Sequence, residues 1–407
     1  MNKFTFLLPA LFHLAASAQS PPTDPSEHIF IITTDGFRWQ EVFTGADPAM
    51  IGNPKYVRDT ALMEALYGGP TAAARRTRLM PFFWSVIAAK GQLFGNRLFH
   101  NKVNVSNFYK ISYAGYSEIL TGHPDLLTPP NMAINNKNRN VLEYLNGTAG
   151  YHGKVVAFSS WNVFPYILNE QRNGLPLNSG YDSLSEEQKE LSNPLIERVQ
   201  DSVSPKNKSR YDLLTYLNAR QYIEKHHPSV VFIGLGETDE QAHAGRYDLY
   251  LQQAANVDRM IAELWYYVQT DPYYKDHTTF LITTDHGRGG DPSSWYAHGF
   301  WVRGSGEAWL AMLGPALLPL GEVRTAGRSY QKQLAATIAL LLGEHFETDH
   351  RIGQPLQLAL KDPSNGGSAP SPNLVSTDPA IRVADRPATP GPLPIDGIAA
   401  GETTGTR

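Results

Sequence analysis

Six side chains able to hold a metal cation are spread along the chain: Asp35, Asp239, His243, Asp285, His286 and His298. Asp239-Glu-Gln-Ala-His243 sets a carboxylate and an imidazole four residues apart, neighbours on one helical turn that can converge on one cation. Asp285 and His286 are adjacent, and a loss of strand pleat after them would turn both side chains to the same side. His298 precedes Gly299, which permits a close backbone approach. Three imidazoles with three carboxylates suit zinc, or another divalent transition cation, better than calcium or magnesium. Six donors exceed what one catalytic ion needs and fit two ions with open positions. Taken singly, each residue also has a plain structural use: Asp35-Gly36 as a turn, Asp239 and His243 as a surface pair, His298 as a satisfied polar group.

These donors follow short apolar runs. Ile29–Thr34 stops at Asp35-Gly36, Val230–Leu235 at Gly236-Glu-Thr-Asp239, and Thr279–Thr284 at Asp285-His286-Gly287; a fourth run, Val155–Phe158, stops at Ser159-Ser-Trp161. Near-continuous apolar runs of this length predict strands buried on both faces. Helical patterning fills the intervals over Met80–Lys90, Asn140–Leu145, Tyr211–Lys225, Arg246–Gln269 and Tyr330–Leu342. In the fourth, Leu249, Ala254, Val257, Ile261 and Leu264 make the core stripe. The alternation predicts a doubly wound α/β/α sandwich with a mostly parallel central sheet, whose ligands gather beyond the carboxyl ends of the strands.

Composition narrows the chemistry further. The 407 residues are 42% hydrophobic and 18% charged, enough apolar material for a large core. With 35 basic against 39 acidic residues and no basic run, no nucleic-acid polymer is expected as a partner. The absence of cysteine removes disulfides, thiolate-bound metals and thiol nucleophiles. At the N-terminus, Lys3, the apolar stretch Phe4–Ala15 and Ala16-Ser17-Ala18 predict a signal peptide over residues 1–18, cleaved before Gln19. The protein is therefore expected to be exported, periplasmic or secreted, with no membrane span after cleavage, because no later segment is long and apolar enough. Residues 19–361 are expected to form the catalytic domain, with the Asn-, Gly-, Pro- and Ser-rich stretch 131–205 as loops covering the strand ends. Residues 362–407 read as a Pro/Gly-rich flexible tail.

The ordered motifs Thr-Thr-Asp35-Gly36, Tyr-Ser-Glu-Ile-Leu-Thr121-Gly122, Asp239-x-x-x-His243, Thr-Asp285-His286-Gly287 and His298-Gly299 resemble the alkaline phosphatase superfamily. The nearest pattern is its nucleotide pyrophosphatase/phosphodiesterase-like branch, over roughly Glu27–Glu347. The resemblance implies one zinc on Asp239, His243 and His298, and a second on Asp35, Asp285 and His286 beside a nucleophilic hydroxyl. Counted back from Thr121-Gly122, the nucleophile is Ser112, for which a helix N-cap is the structural alternative. Two departures stand out. The branch usually has Thr as nucleophile, and an Asn three residues later to bind the phosphoryl group; here Gly115 occupies that place, leaving Asn107 as the substitute candidate.

The resemblance implies hydrolysis of a small phosphorylated substrate, a phosphomonoester or a phosphodiester, through a phosphoserine. A phosphonate hydrolase is a close variant, and an inactive relative binding phosphorylated envelope components is the alternative of another class. Sulfatases share the fold, but Ser112-Tyr-Ala-Gly-Tyr116 lacks the Pro and Arg of their Cys/Ser-x-Pro-x-Arg motif. Only eleven residues separate His286 from His298, too few for a cap domain. Substrate contacts are therefore expected from Trp161 by stacking, and from Asn169 and Arg172 by polar contact or phosphate pairing.

Overall fold

The computed structural model describes residues 19–361, apart from positions 20, 23, 129, 182–185, 205, 207 and 208. The expected signal peptide and tail lie outside the described residues. Strands β1 (His28–Thr34), β2 (Gln92–Phe94), β3 (Asn101–Asn104), β4 (Val155–Ser159), β5 (Leu177–Ser179), β6 (Val230–Leu235), β7 (Thr278–Thr284), β8 (Glu307–Ala308), β9 (Leu310–Leu313), β10 (Gly321–Glu322) and β11 (Gly327–Tyr330) form two sheets. The main sheet runs β10-β2-β9-β7-β1-β6-β4-β5, and β11-β3-β8 make a small second one. In the main sheet only β9 runs antiparallel, paired to β7 and β2. The four strands expected from sequence are β1, β4, β6 and β7, which lie side by side.

Side chains along a strand alternate between faces, and here both faces are buried. Phe30, Ile32, Val231, Ile233, Phe280 and Ile282 enter one core with Leu251, Ala254, Val257 and Ile261 of the helix Tyr247–Thr270. Ile29, Ile31, Val230, Phe232 and Leu281 enter the other, against Tyr113, Tyr116 and Ile119 of the helix Ser112–Thr121 and Ile338 of the helix Leu334–Leu341. Burial of each such side chain contributes about 1.5–3 kcal/mol, so the expected three-layer sandwich is the arrangement that covers a sheet apolar on both sides. Leu249 is only half-buried, and Leu251 leads the core stripe instead.

The stretch 131–205 is more ordered than its composition predicts. Besides β4 and β5 it carries the helices Val141–Asn146, Phe164–Leu168, Glu170–Asn173 and Pro194–Ser202. Local caps hold them: Asn140 accepts from the Glu143 amide, and Asn193 from the Leu195 amide. Polar composition here marks capping as much as loop.

Candidate metal centre and nucleophile

β1 lies between β7 and β6, paired in register with both (Thr34 opposite Thr284 and Leu235). The three chains therefore leave the sheet at one level and deliver their next residues to one place. Asp35 follows β1, Asp285 and His286 follow β7, and β6 leads into the short helix Glu237–His243 that carries Asp239 and His243. His298 arrives on the loop after β7. The six donors form two triplets, Asp239/His243/His298 and Asp35/Asp285/His286, with the ligand atoms of each within 4.8 Å of one another.

In the first triplet, His243 Nε2 lies 3.1 Å from Asp239 Oδ2 and 3.0 Å from His298 Nε2, and His298 Nε2 lies 3.7 Å from Asp239 Oδ1. In the second, His286 Nε2 is 3.4 Å from both Asp35 Oδ1 and Asp285 Oδ2. The His286 and His298 rings stack at 3.9 Å, inclined by 13°, and so join the triplets.

Ser112 meets the second triplet. Its Oγ is 3.3 Å from Asp35 Oδ1, to which it donates, and 3.3 Å from His286 Nε2. Ser112 opens the helix Ser112–Thr121, whose N-cap is Ile111, so the hydroxyl sits at the positive end of a ten-residue helix. The serine is the first helical residue rather than its cap.

The donors fit cations. A carbonyl only accepts, so the contact of His286 Nδ1 with Gly287 O at 2.9 Å places the ring proton on Nδ1. His298 is held likewise, Nδ1 to Lys110 O at 3.3 Å. Both Nε2 lone pairs then face carboxylate oxygens or another imidazole nitrogen, a juxtaposition that a cation resolves. Asp285 Oδ2 is buried without a hydrogen-bond partner, although Oδ1 accepts the Gly36 amide at 2.9 Å. An orphaned buried carboxylate oxygen is costly. Burial, then the neighbouring Asp285 and Asp239 charges, push Asp35 well above the usual carboxylate range. Burial also pushes Asp285 well up. Burial pushes His286 well down, and His298 to about 4, so both imidazoles are neutral ligands at neutral pH.

One close partner was not expected from the sequence. Arg288, fully buried two residues after His286, donates to Asp239 and to the Trp295 carbonyl at 3.1 Å and the Tyr296 carbonyl at 2.6 Å. Burial alone would raise Asp239, but the Arg288 guanidinium and the hydrogen bond from His243 bring it well below the carboxylate range. Tyr116 also reaches the site, its hydroxyl donating to Asp35 Oδ2 at 3.3 Å.

Beside the two triplets opens a cavity of about 490 Å³ lined by Asp35, Ser112, Asp239, Trp161, Asn162 and Asn131, among others. Trp161 lines this cavity, and Asn169 and Arg172 do not. Asn169 Nδ2 donates to the Asn136 carbonyl at 2.8 Å, and Arg172 is tied to Glu143 at 2.6 Å and to the carbonyls of Asn136, Lys137 and Asn138. Arg172 lines a separate charged groove with Lys137, Arg139 and His350. Asn107 is likewise committed: it is buried, with Nδ2 donating to Glu118 at 2.9 Å and Oδ1 accepting the Lys110 amide at 2.8 Å. These three assignments are corrected by the partners that tertiary packing supplies.

Of the two side-chain amides that do line the cavity, Asn162 and Asn131, the one bonded beside Ser112 is Asn131. Its Oδ1 accepts the Tyr113 amide at 2.9 Å, next to Ser112, which leaves the Nδ2 donors for a bound group. Its backbone is left-handed (φ 46), a conformation Asn adopts more readily than most residues. No side chain fits at Gly115, where an added Cβ would lie 2.3 Å from the Asp285 carbonyl oxygen.

No family model matches the chain, and no curated protein matches it in sequence. Solved structures do share its fold. The wild-type alkaline phosphatase PafA aligns at 10% identity over 85% of this chain and 100% of that one, with TM-score 0.53. The lipoteichoic acid synthase LtaP from Listeria monocytogenes aligns at 11% identity over 83% of this chain and 78% of that one, with TM-score 0.52.

Proposed function

We propose that this chain, which has the alkaline phosphatase fold, is an exported hydrolase of phosphoric esters that uses Ser112 as nucleophile and two divalent transition cations, zinc by their donor set. The observation that carries the reading is the position of Ser112 Oγ, 3.3 Å from ligand atoms of both Asp35 and His286 and at a helix N-terminus. Asp239, His243 and His298 would hold one cation and Asp35, Asp285 and His286 the other. When bound they supply Lewis acidity toward phosphoryl oxygens and acidify a bound hydroxyl or water.

The chain's own residues do the rest. Ser112 Oγ forms a bond to phosphorus as the bond to the leaving oxygen breaks, and the electron pair of that bond departs with the leaving group. The hydroxyl proton, which points to Asp35 Oδ1, leaves Ser112 in this step and ends on the departing oxygen. Water then attacks phosphorus, the Ser112 Oγ–P bond breaks, and one proton of that water passes to Ser112 Oγ while its oxygen stays on phosphorus. One hard displacement is thereby split into two. The first-turn amides and dipole of the helix favour the negative phosphoryl group, and Asn131 Nδ2 offers donors on the cavity side.

The cavity favours diesters over monoesters. Among the described residues lining it there is no Lys or Arg, and beyond the carboxylates assigned to the cations Glu240 adds a further negative charge. A monoester dianion would find no protein cation there. A diester carries one charge fewer, and its second ester group can lie against Trp161 and Tyr166. Hydrolysis of bis-p-nitrophenyl phosphate and p-nitrophenyl phosphate, each with and without a chelator, tests this. The expected result is faster, chelator-sensitive turnover of the diester; preference for the monoester overturns the diester reading, and turnover indifferent to chelation overturns the metal reading.

A further inference from the structure

Along the rim of the site runs an apolar strip that no element covers among the described residues. Trp301, three residues beyond His298, is 90% exposed. Its ring contacts Phe300 (4.5 Å), which stacks on Phe108 (3.9 Å), which in turn meets Tyr109 (5.6 Å). The Tyr109 hydroxyl donates to the Leu126 carbonyl at 2.6 Å, and there the strip opens into a groove with Leu127, Met132 and Ile134. Leu126 and Leu127 are 66% and 72% exposed. Monomeric proteins rarely leave contiguous apolar surface of this kind without a use.

Its placement and charge say what it fits. Pro130, Met132 and Ile134 face the groove, while Asn131 and Ala133, alternating with them, face the catalytic cavity, so one segment separates the two surfaces. Cations edge the strip: Lys110 lies over Phe300 at 5.9 Å, Arg303 is exposed two residues after Trp301, and Lys137 lines the groove. The carboxylate among the groove residues, Asp125, is engaged by the Leu127 amide at 2.8 Å and by Asn138 at 2.9 Å. Protruding Trp and Leu side chains flanked by Lys and Arg suit the interface of an anionic lipid bilayer, where the ring sits at headgroup level and the cations meet lipid phosphates.

We propose that the strip from Trp301 through Phe108 to Leu127 docks the protein on an anionic lipid surface and presents the catalytic cavity to it. The docking goes beyond the hydrolase reading and is measured without turnover, so the failure of either leaves the other standing. The test is co-sedimentation with vesicles of phosphatidylglycerol and phosphatidylethanolamine against phosphatidylcholine alone, at low and high salt. Association is expected with the anionic vesicles only, weakened by salt. Trp301→Ser and Leu127→Ser should each weaken it about tenfold, the loss expected from one large apolar side chain, while far-UV circular dichroism and turnover of a soluble diester stay unchanged. No association of the wild type, or association unaffected by both substitutions, overturns the proposal. So does light scattering that shows a lipid-free dimer dissociated by Trp301→Ser, because the strip is then covered by a second copy.

Discussion

Gly115→Ala offers a sharp test of how Ser112 is placed. Gly115 lies in the helix that opens with Ser112, and its α-carbon presses on the chain leaving β7. An added Cβ would lie 2.3 Å from the Asp285 carbonyl oxygen and 2.9 Å from the carbonyl carbon, where ordinary contact begins at 3.4 Å. Both atoms are backbone and cannot rotate away, so the helix and the Asp285 strand end must separate by about 1.1 Å, the difference between 3.4 and 2.3. Overpacking of this kind costs about 1–3 kcal/mol of stability. The same displacement carries Ser112 away from Asp35 and His286, and a misplacement near 1 Å costs roughly 10²-fold in rate. Leucine-scale repacking elsewhere in the core would cost stability without this loss of rate. The assay pairs thermal unfolding with kcat/KM on bis-p-nitrophenyl phosphate and metal content by elemental analysis. A folded Gly115→Ala protein that keeps its metal and loses about 10²-fold in rate fits the geometry; one with the wild-type rate refutes the contact between helix and strand end as the device that sets the nucleophile.

Ser112→Ala, which removes one oxygen atom from the site, should lower turnover by about 10³-fold or more, as loss of a nucleophile does, with zinc retained in elemental analysis. Chelation should lower the unfolding midpoint as well as activity, because three carboxylates, Asp35, Asp239 and Asp285, are then left within one cluster; zinc at about 1,000 times its Kd should return about 4 kcal/mol. Arg288→Met leaves Asp239 without its buried guanidinium partner, so the metal-free protein should lose about 3–5 kcal/mol. The zinc-loaded protein should lose less, and a competition titration should show tighter zinc binding, since a competing cation has gone. N-terminal sequencing of exported protein should begin at Gln19.

The strands, and the six His and Asp residues that the fold gathers at their ends, were legible in the sequence for one reason. A strand buried on both faces reads as an unbroken apolar run, and the polar residue that ends it is where the sheet stops and the site begins. β1 and β7 were visible in this way, together with Asp35, Asp285 and His286. β9 was not, because Leu310–Leu313 is too short an apolar run to separate a strand from a helix fragment. Side-chain partners were the least legible. Arg172 and Asn107 are residue types that bind phosphate, yet Glu143 and Glu118 claim them through contacts spanning 29 and 11 residues. Asn131 sat in a stretch whose composition read as loop, and only its bond to the Tyr113 amide sets it beside Ser112. Arg288 had a signal, being a basic residue beside Asp285-His286, but its pairing with Asp239 bridges 49 residues.

β1, the centre of the chemistry, is flanked on both sides by strands that also carry donors, with β9 and β4 beyond them. Partial opening of a protein starts from its least protected periphery and reaches the innermost strands last. The outer β5 and β10, and the small β11-β3-β8 sheet, can therefore fray while the donors of β1, β6 and β7 stay assembled. Amide exchange should be slowest along Ile29–Thr34. If the six donors hold cations as proposed, a chain that has shed its edges would still carry them, and their release would mark the last cooperative step of unfolding rather than the first.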